Sequence, residues 1–406
     1  MVGAGIFGLP AALAAGAGRW SLAVLFLGIA FAAVMALCMV EVASRFDATG
    51  GPMHYAHVAF GPTVGFLVGW LMYLSRLSAF GAISAIMLDY ATPVWPMLQF
   101  TTVRVGVVTL FVGLLVGLNL RGVGRAALAN NLFTTLKAAA LVLLVVTGLW
   151  FGGVALAPPV SSTGLAEIGG AVALTIFACM GFEHATIVAG EARNPRRDLP
   201  ASILWSVCCS GVLYALVLMV CFRVVPDLAH SQRPLADAAA ALGGPTGATA
   251  MSLTAAFSCA SSLTVWMLVV PRLLFVLGGQ GSLPRIFATV AVGRTPVAAI
   301  VGTALLVWVL TITGTFLYLA TFAAIARILM YASTCAALIA LRRRDGLAPI
   351  TIPFGPFLSI VSLLLTLLVL GTTSGTAVRD VLIASGVGGA LRAGTQWWAR
   401  PSVTVA

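Results

Sequence analysis

The chain has 406 residues, 61% apolar and 8% charged, with a mean hydropathy of +1.09. A water-soluble fold of this size needs roughly a quarter of its residues charged, so that class is excluded, and the backbone must satisfy itself within helices or a closed barrel in lipid. The net charge of +11 would suggest nucleic acid in a soluble protein. Here the basic residues sit between apolar runs and orient helices, so no nucleic-acid partner is expected and the bilayer is the partner.

Uninterrupted apolar runs, such as Ala138 to Phe151 and Ser359 to Leu370, lack the alternation of a barrel strand. Cutting the chain at its Gly, Pro and charge clusters predicts an all-α polytopic membrane protein of about twelve spans of roughly 20 residues. They are Met1–Ala15, Ser21–Ser44, Val64–Leu88, Val103–Leu120, Asn131–Phe151, Ile168–Gly190, Ala201–Val224, Gly247–Leu277, Val297–Gly314, Thr315–Leu341, Phe354–Gly371 and Val378–Leu391. Seven cysteines fall inside apolar runs without metal-type spacing and read as small lipid-compatible residues. Loops after even-numbered spans hold Arg45, then Arg121, Arg125 and Lys137, then Arg193, Arg196 and Arg197, then Arg285 and Arg294, then Arg342, Arg343 and Arg344. The opposite loops offer single arginines, so the positive-inside rule places both termini in the cytoplasm.

Two segments read as helices broken at membrane depth. One is Gly3, Ala4, Gly5, Ile6, Phe7, Gly8, Leu9, Pro10; the other is Phe177, Ala178, Cys179, Met180, Gly181, Phe182, Glu183. A helix that unwinds in lipid must turn its freed N–H and C=O groups toward protein, a cavity or a ligand. A crossing pair of half-helices offers amides to a carboxylate and carbonyls to an ammonium, which suits a zwitterion. The alternative for either cluster alone is close helix packing through small residues.

Several stretches then carry a family likeness: EVASR at Glu41–Arg45, TGGP at Thr49–Pro52, AFGPTVGFLVGW at Ala59–Trp70, NLRG at Asn119–Gly122, and TTLK at Thr134–Lys137. GFEHATIVAGEARNPRRDLP at Gly181–Pro200 is the most specific, and RLLFVLGGQGSLP at Arg272–Pro284 adds to it. The chain resembles permeases of the amino acid, polyamine and organocation (APC) superfamily over nearly its whole length. That resemblance implies a leucine-transporter-like fold in one membrane domain: an inverted repeat over 1–151 and 168–341, plus two further helices over 354–391. It also implies secondary active transport of amino acids or related amines, with proton coupling or exchange both open and no cofactor.

The resemblance places the substrate carboxylate on backbone amides around Gly3, Ala4, Gly5 and Ile6. It places the amine on carbonyls of Phe177, Ala178 and Met180 beside Gly181, with the Phe177 ring as a lid. In proton-coupled relatives a lysine at the position of Lys137 replaces a sodium ion. Its deprotonation at a desolvated site would couple proton and substrate, the alternative being that Lys137 snorkels to the headgroups. Glu183 reads as a relay or gate, or as a structural carboxylate at a helix start. Arg76, in mid-span, could pair with Glu183, read an acidic substrate group, or form a structural ion pair; Arg327 poses the same question. Glu41 and Arg45, one turn apart, are expected to pair with each other.

Members of the superfamily carry the first half of helix 1 ahead of the glycine cluster, whereas this sequence starts two residues before it. The first helix therefore reads as truncated, and an inactive permease is one alternative to transport. A non-transporting nutrient sensor on the same fold is another. Paired intramembrane carboxylates, His/Glu metal spacing and a Gly-x-Ser-x-Gly elbow are missing from the sequence, so no catalytic residue and no metal site are assigned.

Overall fold

Lipid leaves the helix as the only open-ended way to satisfy a backbone, and the apolar runs take it. The computed structural model describes residues 3–46, 51–120, 126–153, 164–179, 181–183, 195–290, 295–373 and 375–398. Among the described residues there are thirteen α-helices and no strands. A 3₁₀ turn at Ala4–Phe7 leads into α1 (Leu9–Ala17), followed by α2 (Ser21–Ala43), α3 (Gly51–Phe60), α4 (Pro62–Ala91), α5 (Thr101–Leu120) and α6 (Ala126–Phe151). Then come α7 (Leu165–Ala178), α8 (Pro195–Val224), α9 (Pro234–Gly279), α10 (Val297–Thr313), α11 (Phe316–Asp345), α12 (Gly355–Thr372) and α13 (Gly375–Trp398).

Eight stretches are long and apolar enough to cross a membrane, and two shorter apolar helices accompany them. Their outward faces carry Leu110, Leu143, Trp150 and Leu367 at 57% exposure or more, which only a hydrocarbon solvent tolerates in such density. The chain is an all-α multi-pass membrane protein.

The centre is α4. It is buried over most of its length, and small residues (Gly65, Gly69, Ser75, Ser78, Ala79, Gly81, Ala82) let α9, α10 and α11 approach its backbone. A Cβ on Gly81 would lie 2.8 Å from Leu319 of α11, and one on Gly69 2.7 Å from Met53 of α3. On the other side of α11 from this centre α1, α2 and α7 pack on one another, with α2 and α7 meeting α11, while α5 lies outside against α10 and α13 lies outside against α11 and α4.

Several helices run a few residues beyond the expected spans, and where they do, Pro at the first turn or Gly after the last marks the limit: Pro62 opens α4 and Gly346, at φ +77°, closes α11. Two elements were not expected. Helix α3 occupies a stretch read as loop, since ten residues with two histidines fall short of a span. The other precedes the expected eighth span: α9 begins at Pro234 and bends at Gly243 and Gly244, whose φ/ψ leave the helical region. The expected Glu41–Arg45 pair does not form. Arg45 donates to the carbonyl of Gly346 at 2.6 Å, and Glu41 is chelated by Arg342 (2.5 and 2.6 Å) and by the amide of Ile352 at 2.9 Å. The helix ends at Ala43, so Arg45 lies past it, and the two-pronged guanidinium of Arg342 takes Glu41 instead.

Pro271, inside α9, has no N–H to give to the carbonyl four residues earlier, that of Met267. Asn119, in the NLRG stretch of α5, donates its side-chain amide to that carbonyl at 2.7 Å. Asn119→Leu should cost about 1 kcal/mol of stability. Pro271→Ala should restore the missing donor and remove most of that cost. Thermal unfolding of the two single variants and the double variant in detergent measures the coupling, and additive effects would refute it.

Candidate functional site

Of the two segments expected to break, both do so. The first forms a single 3₁₀ turn at Ala4–Phe7 that meets α1 at Gly8. The second leaves the helix after Ala178, and Gly181 adopts φ +123°, a conformation that side chains disfavour. The two cross at contact distance: a Cβ on Gly5 would lie 3.0 Å from Ala178 Cα and 3.4 Å from the Phe177 ring. Glycine is required there because the two backbones meet. Ala4, Gly5, Ile6, Phe177 and Ala178 are all buried, Gly3 is half-buried, and Met180 lies outside the described residues, as does His184.

Two tyrosines that the sequence reading passed over meet the freed backbone groups. Tyr90 of α4 donates to the carbonyl of Phe7 at 2.8 Å and accepts from the amide of Leu235 at 3.1 Å. Tyr214 of α8 donates to the carbonyl of Ala178 at 3.0 Å. A fully buried tyrosine inside an apolar span was the available signal, since its hydroxyl needs a partner. Phe316, the first residue of α11, was also missed. Its ring packs edge-on to Phe177 with centroids 6.4 Å apart and fills the space beside Gly8, where a Cβ would come within 2.6 Å.

Just beyond the second break is a charged cluster. Glu183 is 1% exposed and forms an ion pair with Arg327 of α11, so its carboxylate partner is Arg327 and not Arg76. It also accepts from the Tyr331 hydroxyl at 2.8 Å and from the Gly181 amide at 2.9 Å. Arg327 and Tyr331 are four residues apart on α11 and so share a face. Arg327 further donates to Ser75 at 3.1 Å, and Ser75 donates to the Ala323 carbonyl at 2.8 Å, tying α4 to α11. Arg76, next to Ser75, is buried as well. Lys137 lies apart from this cluster, buried on α6 with Cys259 of α9 as its ionisable neighbour, rather than reaching out to the headgroups.

The crossing, the capped breaks and the buried charges thus lie together along one stretch of the second broken segment, Phe177 to Glu183. The amino acid permease family model matches residues 1–391. The chain belongs to the amino acid permease family. Among similar permeases and transporters, the mitochondrial cationic amino acid transporter 3 of Arabidopsis thaliana is 29% identical over 316 residues, covering 71% of this chain and 51% of that protein. The vacuolar cationic amino acid transporter 2 of the same plant is 28% identical over 331 residues, 75% of this chain and 51% of its own length. An uncharacterised transporter of Mycobacterium tuberculosis is 30% identical over 305 residues, 71% of this chain and 65% of its own. The permease thus spans about half the length of the plant relatives it matches.

A separate cavity of about 660 Å³ lies among α4, α9, α10, α11 and α13, lined by Trp70, Tyr73, Leu306, Tyr318 and Ile383 among others. None of the backbone positions of the crossing lines it, and its walls are mostly apolar, with Asp380, Ser78, Tyr73 and Tyr318 as the polar exceptions.

The cluster makes a discriminating stability prediction. Glu183→Leu leaves two buried guanidinium groups without a carboxylate and should cost about 3–5 kcal/mol. Arg327→Met should cost less, because Arg76 stands within electrostatic reach of Glu183 and can take over part of the pairing. Thermal unfolding in detergent ranks the two variants, and the reverse order would contradict this arrangement.

Proposed function

We propose that this permease carries an amino acid or related amine across the membrane by alternating access. The substrate α-carboxylate meets the backbone amides of Gly3, Ala4, Gly5 and Ile6, and its amine meets the carbonyls of Phe177, Ala178 and Met180, with Gly181 supplying the break. The main support is the contact of Gly5 with Ala178 at the crossing of two interrupted helices, in a chain of the amino acid permease family. Both breaks expose opposite ends of short helical segments, which is the electrostatic pattern that a zwitterion complements. The fold is read as two inverted halves, 1–151 and 168–341, each led by its broken helix, with 354–391 appended. The distribution of arginine supports a location in the plasma or inner membrane with both termini in the cytoplasm.

Coupling to protons is assigned to Lys137. A lysine buried between α6 and α9 is a fixed cation that proton loss can remove, and its charge therefore links the packing of those helices to pH. Glu183 and Arg327 hold the second break to α11, so they belong to gating rather than to direct substrate contact.

Uptake of a labelled amino acid panel into proteoliposomes, with and without an imposed pH gradient, tests the reading. Uptake should be saturable and faster with the gradient, and Lys137→Ala should abolish the gradient dependence. Unchanged pH dependence in that variant would remove Lys137 from coupling, and failure to take up any amino acid or amine would overturn transport.

A further inference from the structure

The charge beside the second break does not balance. Arg76 and Arg327 come from adjacent helices, α4 and α11, and the one carboxylate among the charged groups acting on Arg76 is Glu183. Glu183 is already committed. One of its oxygens pairs with Arg327, and the other accepts from both Tyr331 and the Gly181 amide. Arg76 is left with no hydrogen bond among the described residues. It is 5% exposed, and its Nη2 is fully buried without a partner.

A guanidinium carries five N–H donors in a plane and cannot shed its charge. Buried at membrane depth without an acceptor it is among the most unfavourable arrangements a protein can hold, and such residues face a polar ligand or a partner rather than lipid. The acceptor that matches its geometry is a carboxylate, which takes two parallel N–H bonds. The cluster is joined to the second broken segment, because Glu183, which acts on Arg76, accepts from the Gly181 amide.

We propose that Arg76 is a specificity-determining residue that binds the side-chain carboxylate of an acidic amino acid. The permease accordingly favours anionic over cationic substrates, in contrast to what the names of its plant relatives say of those proteins. The residual positive charge of the cluster attracts a second carboxylate and repels a lysine or arginine side chain. This rests on the transport reading for the placement of the substrate, but the anion site itself does not need transport.

The test uses the full chain purified in detergent, with thermal unfolding followed against glutamate, leucine, lysine, and chloride replacing isethionate. Glutamate should stabilise saturably and lysine should not. Arg76→Met should weaken the glutamate effect at least about tenfold, and Arg76→Lys, which keeps the charge without the planar fork, should retain a weakened response. If Arg76→Met does not fold, the lysine variant decides alone. Stabilisation by lysine equal to that by glutamate, by chloride only, by none of these, or undiminished in both variants would overturn the proposal. Proteoliposome uptake separates the two readings: Arg76-dependent glutamate binding without any uptake leaves the anion site standing and removes transport.

Discussion

A backbone N–H or C=O released inside a bilayer has no water to turn to, and every irregularity in this fold is organised by that constraint. Three of these interruptions are met by a side chain from a helix distant in sequence, and a fourth by a residue two positions further along the chain. Tyr90 meets the end of the first 3₁₀ turn, Tyr214 meets the end of α7, Asn119 meets the carbonyl orphaned by Pro271, and Glu183 meets the Gly181 amide. The same bonds that satisfy the backbone also stitch α4 to the first turn, α8 to α7 and α5 to α9. Stability and the shape of the candidate site are therefore one network rather than two.

That network also decides what the crossing can offer a ligand. The hydroxyl of Tyr214 is hydrogen-bonded to Ala178 at the end of the second broken segment. A carbonyl has two lone pairs, so Ala178 can keep Tyr214 and still accept from an ammonium.

Most of the helices were legible because their cause is local: apolar runs of sufficient length, punctuated by Gly, Pro and charge. The two breaks were legible for the same reason, since Gly3, Gly5, Gly8 and Gly181 announce them within a few residues. What was not legible is pairing across the chain. Glu41 meets Arg342, 301 residues away, rather than Arg45, four residues on, and Glu183 meets Arg327, 144 residues away, rather than Arg76. Nothing in the neighbourhood of Glu41 or Glu183 encodes which distant guanidinium will arrive, because that depends on which faces of α2, α4, α7 and α11 pack together. The capping tyrosines were obscured in the same way, as aromatic residues among other apolar ones. Helix α3 was hidden because ten residues of mixed polarity resemble a loop when only bilayer-length runs are counted.

The two buried carboxylates provide an internal comparison that bears on function. Glu41 is fully satisfied: Arg342 and the Ile352 amide occupy it, Arg342 also reaches the Ile352 carbonyl, and one cation answers one anion. That cluster joins α2, the end of α11 and the segment before α12, and its balance is what a structural clamp requires. The cluster at Glu183 uses the same chemistry but holds two guanidinium groups, and the second makes no hydrogen bond among the described residues. If stability alone governed both places, Arg76 would be a liability with no counterpart at Glu41. The difference between them is location: the balanced cluster closes helix ends, and the unbalanced one is bonded to Gly181 of the broken segment whose Ala178 meets Gly5. An excess of charge at that point is better accounted for by a ligand that completes it than by the fold that carries it.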